Sequence, residues 1–155
     1  MEVNDSTNMN LLESEDLGKI DINEIAPKPT VQRSAKGPVC IDECSPDGKY
    51  IQLANTSATR DVDLTGWRLL RSVNNAPEIS FAMPDNFKLD NRKSVKIYAC
   101  DQDSERFPCD LVSSNISTWG VGHTVITRLF NDNNEEKAVH IQMIAKQMNL
   151  FCSHY

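Results

Sequence analysis

Apolar and polar side chains alternate in short runs through most of the chain between residues 37 and 145. In the clearest run, Val95, Ile97 and Ala99 fall on one side and Lys96 and Tyr98 on the other. A period of two residues is typical of strands that bury one face, whereas the period of 3.6 residues that indicates a helix is missing. We therefore predict an all-β domain in this region.

About eight strands are predicted, because each alternating run is bounded by residues that favour turns. The predicted strands are Val39–Cys44, Tyr50–Asn55, a run that starts at Trp67, Glu78–Met83, Ser94–Cys100, Asp110–Ser113, Thr124–Phe130 and Ala138–Ile144. In the turn Ser45–Gly48, proline presets one dihedral angle, aspartate bonds its own backbone and glycine accepts a positive φ. Short strands of this kind are typical of an antiparallel sandwich of two sheets.

Composition divides the chain into three predicted regions. Residues 1–25 hold seven acidic side chains and one lysine, so the net charge of −6 resides in this segment. We predict a disordered acidic leader over residues 1–36, a folded domain over 37–145 and a loose tail over 146–155. Scattered leucines and isoleucines leave two alternatives for the leader: an unstructured spacer, or a short helix that forms on a partner.

Each of the two tryptophans stands beside a glycine, as Gly66-Trp67 and as Trp119-Gly120. An indole buries a large apolar surface and must place one N–H group, and a neighbouring glycine lets the backbone turn sharply or approach the ring. We predict that both rings lie in the core at corners of the sandwich. The alternative is a solvent-facing ring that stacks on a base or a sugar, and the polar loop around Trp119 leaves more room for it.

Six short motifs occur in a fixed order along the predicted domain. They are Gly48–Asn55, Leu64–Trp67, Phe81–Leu89, Val95–Ala99, Asp110–Val112 and Thr118–Gly122. In this order they resemble the lamin tail domain of nuclear lamins and related intermediate-filament proteins. The resemblance implies an immunoglobulin-like antiparallel β-sandwich. It also implies a non-catalytic interaction module that contacts chromatin, DNA and nuclear-envelope proteins.

Several features that accompany this domain in lamins are not encoded here. The chain has no sustained heptad repeat, so we expect no filament rod. We also expect no lipid anchor. No lysine and arginine cluster provides a nuclear localisation signal, and no run of about 18 apolar residues predicts membrane insertion.

The basic surface that the resemblance implies is altered. The segment Phe81–Phe87 lacks the two positive charges of the corresponding lamin strand and contains Asp85. Each lost phosphate contact reduces by about one the slope of log affinity against log salt concentration. Binding of DNA or chromatin is therefore in doubt. The basic residues that remain nearby are Arg68, Arg71, Lys88, Arg92, Lys93 and Lys96. They are candidate partner contacts, and the alternative is that they are solvated side chains of a sheet face.

The five cysteines indicate a reducing compartment. They are Cys40, Cys44, Cys100, Cys109 and Cys152. Their number is odd, none is spaced C-x2-C, and the N-terminal segment has neither the basic nor the long apolar region of a secretory signal. We therefore expect reduced thiols in a protein of the nucleus or cytoplasm that is not secreted, and no zinc site.

No motif for catalysis or cofactor binding is present. The chain contains no G-x-S-x-G sequence, no P-loop and no EF-hand pattern. Asp101, Asp103, Glu105 and Asp110 form an acidic stretch that is either a weak calcium site or an exposed loop. We expect no enzyme, no cofactor and no metal.

Together these features predict a structural interaction protein. It is either a rodless lamin-tail-domain protein or a tail fragment or isoform of a longer one. Its expected partners are lamins, other intermediate-filament proteins or nuclear-envelope proteins. The alternative function is binding of nucleic acid or chromatin through the residual basic face.

Overall fold

A computed structural model describes residues 29–100 and 110–144. These residues form eleven β-strands and no helix. The strands are β1 (Pro29–Ala35), β2 (Val39–Cys44), β3 (Tyr50–Asn55), β4 (Val62–Asp63), β5 (Arg68–Val73), β6 (Ile79–Ala82), β7 (Lys88–Leu89), β8 (Ser94–Tyr98), β9 (Leu111–Val112), β10 (Thr124–Phe130) and β11 (Glu136–Ile144). The predicted leader up to residue 28 and the predicted tail from 146 lie outside the described residues and stay predictions.

The strands form two large sheets and one small one. The four-stranded sheet has the order β9-β8-β3-β2, and the five-stranded sheet has the order β1-β11-β10-β5-β6. The pair β4-β7 forms a separate two-stranded sheet that buries Leu89. The two large sheets contribute to one hydrophobic core, so the predicted immunoglobulin-like β-sandwich is confirmed.

Alternation decides which side chains face the core. In β3, Ile51, Leu53 and Asn55 are buried, whereas the residues between them are half-buried on the outer face. The same period in β10 buries Val125, Thr127 and Leu129. The buried hydrophobic residues include Ile41, Ile51, Leu53, Leu69, Val95, Ile97, Leu129 and Ala138. Since full burial of one large aliphatic side chain stabilises a fold by about 1.5–3 kcal/mol, this core is the main source of stability.

The sequence did not predict strand β1, which lies within the segment assigned to the leader. Its seven residues are all exposed, so they carry no alternation that would reveal a strand. The strand is placed by pairing with β11: the amide of Lys36 donates to the carbonyl of Lys137 at 2.9 Å, and the Thr30 hydroxyl donates to the carbonyl of Met143 at 3.3 Å. Residues Thr30–Ala35 of this strand belong to the compact unit Thr30–Ile144.

One strand pair departs from the predicted antiparallel arrangement. Strand β9 pairs with β8 in parallel, with Leu111 beside Ile97 and Val112 beside Tyr98. Parallel neighbours need a connection of about a dozen residues, and the stretch between Tyr98 and Leu111 has that length. No helix of the described residues has the length and hydropathy needed to cross a lipid bilayer.

Both indole rings lie in the core, as predicted. Trp119 has no exposed surface, and its Nε1–H donates to the carbonyl of Ile97 at 2.9 Å. Trp67 is 8% exposed, and its backbone joins Leu64 and Met83 through N–H···O bonds of 3.0 and 2.9 Å. Trp119 is therefore unavailable for stacking on a base or a sugar, and Trp67 exposes only a small part of its surface.

Two glycines let the loop that carries Trp119 approach the rest of the sandwich. Gly120 has a φ of 89°, and a Cβ atom there would lie 2.9 Å from a methyl group of Val73. Gly48 has a φ of 76°, and a Cβ atom there would lie 2.8 Å from the hydroxyl of Thr118. The turn after β2 and the tryptophan loop therefore pack against each other at positions where only glycine fits.

Replacing either tryptophan with alanine should reduce the free energy of unfolding by about 3 to 5 kcal/mol, because each change removes a large buried ring. Trp119→Ala should be the more damaging, since it also leaves the carbonyl of Ile97 without its donor. Urea unfolding of the full chain measures both effects. Met143→Ala, at a site 49% exposed, is the control and should change stability by about 0.5 kcal/mol or less. A comparably small loss for Trp67→Ala would contradict its place in the core.

Candidate interaction surface

The structure does not place the six predicted contact residues on one face. Arg71, predicted as a candidate partner contact or else as a solvated side chain, is 2% exposed and lies between the sheets. The reason is register: β5 buries Leu69, Arg71 and Val73 and turns the residues between them outward. A charged side chain at an inward position of an alternating strand cannot reach an external partner.

Arg68 and Lys96 reach the surface on different sheets, and each covers an aromatic ring. The guanidinium of Arg68 lies 4.5 Å from the ring centroid of Phe130 and donates to the side chain of Asn134. The ammonium of Lys96 lies 4.4 Å from the ring centroid of Tyr50 on the four-stranded sheet. Cation–π contacts of this kind anchor both charges to the domain.

The other three predicted contacts are exposed beside the small sheet. Lys88 belongs to β7, whereas Arg92 and Lys93 lie in the turn before β8. Backbone bonds hold that turn: the amide of Arg92 donates to the carbonyl of Ser57, and that of Lys93 to the carbonyl of Asp90, both at 3.1 Å. The predicted basic face is thus distributed over several sides of the domain.

A buried polar cluster, which the sequence did not predict, occupies the core around Arg71. We call Cys44, Arg71, Thr127 and His140 the polar cluster. The register places Thr127 between Arg71 on β5 and His140 on β11, so three polar side chains cross the inner face of the five-stranded sheet in one row. The thiol of Cys44, from the four-stranded sheet, lies 3.7 Å from the hydroxyl of Thr127.

The guanidinium of Arg71 is satisfied by neutral acceptors. Its Nε donates to the carbonyl of Trp119 at 2.7 Å, one Nη donates to the carbonyl of Gly120 at 3.1 Å, and the other donates to the hydroxyl of Thr127 at 3.0 Å. Burial lowers the pKa of the Arg71 guanidinium, but arginine stays protonated in proteins. The cluster therefore contains a buried positive charge that fixes the tryptophan loop.

This charge and the burial around it shift the pKa of neighbouring groups. Burial raises the pKa of the Cys44 thiol, and the nearby Arg71 opposes that rise. Burial lowers the pKa of His140, and the positive charges of Arg33 and Arg71 lower it further. At neutral pH the cluster thus contains a protonated thiol, Cys44, and a neutral imidazole, His140. A protonated, buried thiol is a poor nucleophile.

Within residues 29–100 and 110–144, no three His, Cys, Asp or Glu side chains group in a way that could hold a metal ion. Cys40 and Cys44 are free thiols there. The predicted acidic stretch is described only at Asp110, which is buried and accepts the amide of Lys96 at 2.9 Å. Cys109, Cys152 and the acidic residues 101, 103 and 105 lie outside the described residues.

The outer faces of the two large sheets differ in chemistry. The five-stranded sheet carries half-buried apolar side chains on its outside, including Ile126 paired across the strands with Ile141. Two large apolar side chains of this sheet are well exposed, Met143 at 49% and Val31 on the edge strand β1 at 51%. The corresponding positions of the four-stranded sheet include Gln52 and Lys96. Cross-strand pairing thus shields most of the apolar surface.

A hollow lies at the end of the domain where Trp67 comes closest to the surface. We call it the Trp67 hollow; its volume is about 330 Å³. It is lined by Lys36, Gly37, Pro38, Val39, Arg60, Asp61, Val62, Asp63, Trp67 and Lys137. Apolar groups thus form its floor and charged side chains its rim. The sequence did not indicate this site, because its lining comes from three separate segments that only the fold brings together.

Replacing Arg71 with methionine should reduce the free energy of unfolding by about 2 to 4 kcal/mol, because two carbonyls and a hydroxyl lose their buried donor. Arg71→Lys should recover only part of that loss, since an ammonium lacks the planar fork that reaches three acceptors. Urea unfolding measures both variants. Arg68→Met is the matched control on the outer face of the same strand and should cost about 1 kcal/mol or less. A stability of Arg71→Met equal to that of the wild type would contradict the role assigned to the guanidinium.

The stability of the domain should fall as the pH drops below about 6.5, the ordinary pKa of histidine. The folded state holds the pKa of His140 below that value, so the unfolded chain binds the proton first and acid favours unfolding. Above the unfolded pKa, His140 is neutral in both states and imposes no penalty on folding. Below it, the loss of stability reaches about 1.4 kcal/mol for each unit by which folding lowers the pKa of His140. Unfolding curves across this range should lose that dependence in His140→Gln and keep it in His123→Gln, whose side chain is exposed. An unchanged pH profile in His140→Gln would contradict this assignment.

Comparison with known proteins identifies the family. The sequence profile described as LTD, Lamin Tail Domain, matches residues 13–143. The chain is 44% identical over 120 residues to intermediate filament protein B of Ascaris suum, and 39% identical over 120 residues to intermediate filament protein ifb-1 of Caenorhabditis elegans. These matches cover 77% of this chain and 20% of the length of each relative.

A third relative is the muscle cell intermediate filament protein AV71 of Acanthocheilonema viteae. It is 40% identical over 126 residues, which is 81% of this chain and 32% of that protein. The chain thus spans between a fifth and a third of the length of these relatives, and the family profile covers most of the chain. This chain belongs to the lamin tail domain family.

Proposed function

We propose that this chain is a non-enzymatic docking module that attaches to intermediate filaments or to the nuclear lamina and envelope. The observation that carries the proposal is its membership of the lamin tail domain family, with intermediate filament proteins as relatives. Its partners are proteins: lamins, other intermediate-filament proteins or proteins of the nuclear envelope. Its location is accordingly the nucleus and nuclear envelope or the cytoplasm.

The interior chemistry supports a structural role. Both indole rings and the guanidinium of Arg71 hold the sandwich together, and the buried thiol of Cys44 is kept in its unreactive form. An enzyme needs polar groups that converge on an open pocket, whereas these polar groups converge inside the core. The surfaces that remain are suited to contact with another protein.

The nucleic-acid alternative has weaker support. Phosphate binding requires several cations on one continuous surface, but among the six predicted contact residues Arg71 is buried and Arg68 and Lys96 lie on different sheets. A titration of the full chain with duplex DNA at low and at high salt tests this alternative. Tight binding at low salt that disappears at high salt would favour it over protein docking.

Co-sedimentation with assembled filaments tests the proposed function. We expect the full chain to pellet with intermediate filaments or with lamin filaments, and to stay in the supernatant without filaments. Actin filaments are the matched control for nonspecific trapping. Recovery of the chain in the supernatant with both intermediate-filament and lamin preparations would refute docking on filaments.

A further inference from the structure

The Trp67 hollow joins an apolar floor to a charged rim. The floor is formed by the buried ring of Trp67 with Val39 and the half-buried Pro38 and Val62. A volume of about 330 Å³ is at the small end of ligand pockets in proteins. It therefore admits a side chain or two of a peptide and excludes a large cofactor.

The negative charges of the rim already have partners within the chain. Asp61 accepts the backbone and side-chain amides of Asn91 at 2.8 and 2.9 Å. Asp63 accepts the amide of Thr65 at 3.0 Å and its hydroxyl at 2.6 Å. These hydrogen bonds lower the pKa of both carboxyl groups, so each is charged while it accepts hydrogen bonds from the neighbouring backbone.

The partners of these carboxylates are neutral groups, so the rim carries two negative charges beside the three positive charges of Lys36, Arg60 and Lys137. Lys36, Arg60 and Lys137 form no ion pair with any residue in the described part of the chain. The strand pairing brings two of them together, because the amide of Lys36 donates to the carbonyl of Lys137 at 2.9 Å.

The backbone that presents these cations is fixed. The buried side chain of Asn55 donates to the carbonyl of Arg60 at 2.8 Å and to that of Leu89 at 3.0 Å. Lys36 and Lys137 are held by the pairing of β1 with β11. Because the rim is positioned before a ligand arrives, binding requires little ordering of the protein.

We propose that the Trp67 hollow binds an acidic peptide segment of a partner protein. An apolar side chain of that segment rests against Trp67 and Val39, and its carboxylates meet the three cations of the rim. This inference rests on the proposed function, since it names the chemistry that the docked protein presents. Charge complementarity gives such a contact its specificity and its dependence on salt.

The test is a titration of the full, isotope-labelled chain with a short capped peptide of glutamates around one leucine. Nuclear magnetic resonance reports the two indole N–H groups separately. We expect a saturable shift of the Trp67 signal and none of the Trp119 signal, because Trp119 is fully buried and bonded to Ile97. The same peptide with glutamines in place of the glutamates should bind markedly more weakly. Added salt should lower the affinity for the acidic peptide.

Two charge-matched variants locate the site. The double variant Lys36→Gln, Lys137→Gln should bind the acidic peptide with roughly tenfold lower affinity, because two partly screened ion pairs are lost. Lys49→Gln with Lys93→Gln removes the same charge away from the hollow and should leave the affinity unchanged. Circular dichroism of both double variants verifies that the sandwich remains folded.

Several outcomes overturn the inference. These are no saturable shift of Trp67, an equal loss of affinity in the two double variants, or a single-stranded oligonucleotide that binds the hollow more tightly than the peptide.

Co-sedimentation separates this inference from the proposed function. If the Lys36→Gln, Lys137→Gln variant pellets with filaments as the wild type does, the docking function stands and the hollow is not its site. If the wild type does not pellet, the docking function fails and the peptide titration still decides what the hollow binds.

Discussion

The loop around Trp119 is fixed to the core by two interactions that act on its ring and on its backbone. The indole fills the core and donates to the carbonyl of Ile97, while the guanidinium of Arg71 donates to the carbonyls of Trp119 and Gly120. The turn after β2 also depends on this arrangement, since Gly48 packs on the loop at a point with no room for a side chain. Without Arg71, the carbonyls of Trp119 and Gly120 would lose their donor beside the core, at a cost of about 1–3 kcal/mol each.

The buried charge of Arg71 explains the composition of the core around it. A guanidinium excluded from water needs hydrogen-bond acceptors, and here the register supplies the hydroxyl of Thr127 and the fold supplies two carbonyls, one acceptor for each nitrogen. His140 occupies the next position of the same row, and there it stays neutral because a second buried cation would be unfavourable. The polar cluster therefore specifies one packing of the two sheets, since any slip of register would leave a charge without acceptors.

The sequence predicted those parts of the fold in which apolar and polar residues alternate. Strands β2, β3 and β10 have the predicted bounds, and both tryptophans are buried as their neighbouring glycines indicated. Strand β1 was missed because all its residues are exposed, so only its pairing with β11 makes it a strand. Arg71 was misplaced because a charge count cannot reveal that its acceptors come from a loop about fifty residues away.

The same reasoning explains why the candidate site differs from the one that the sequence indicated. Charges that are close in sequence around β5 and β8 are separated by the alternation of the strands and by the two sheets. Lys36, Arg60 and Lys137 are distant in sequence, yet the ends of β1 and β11 and the start of β4 place them around one hollow. In a sandwich, loops and strand ends from different segments meet at the two ends of the sheets, whereas neighbours along one strand point apart. A surface that recognises a partner is therefore assembled by topology, and a formally neutral domain can still present a local excess of positive charge.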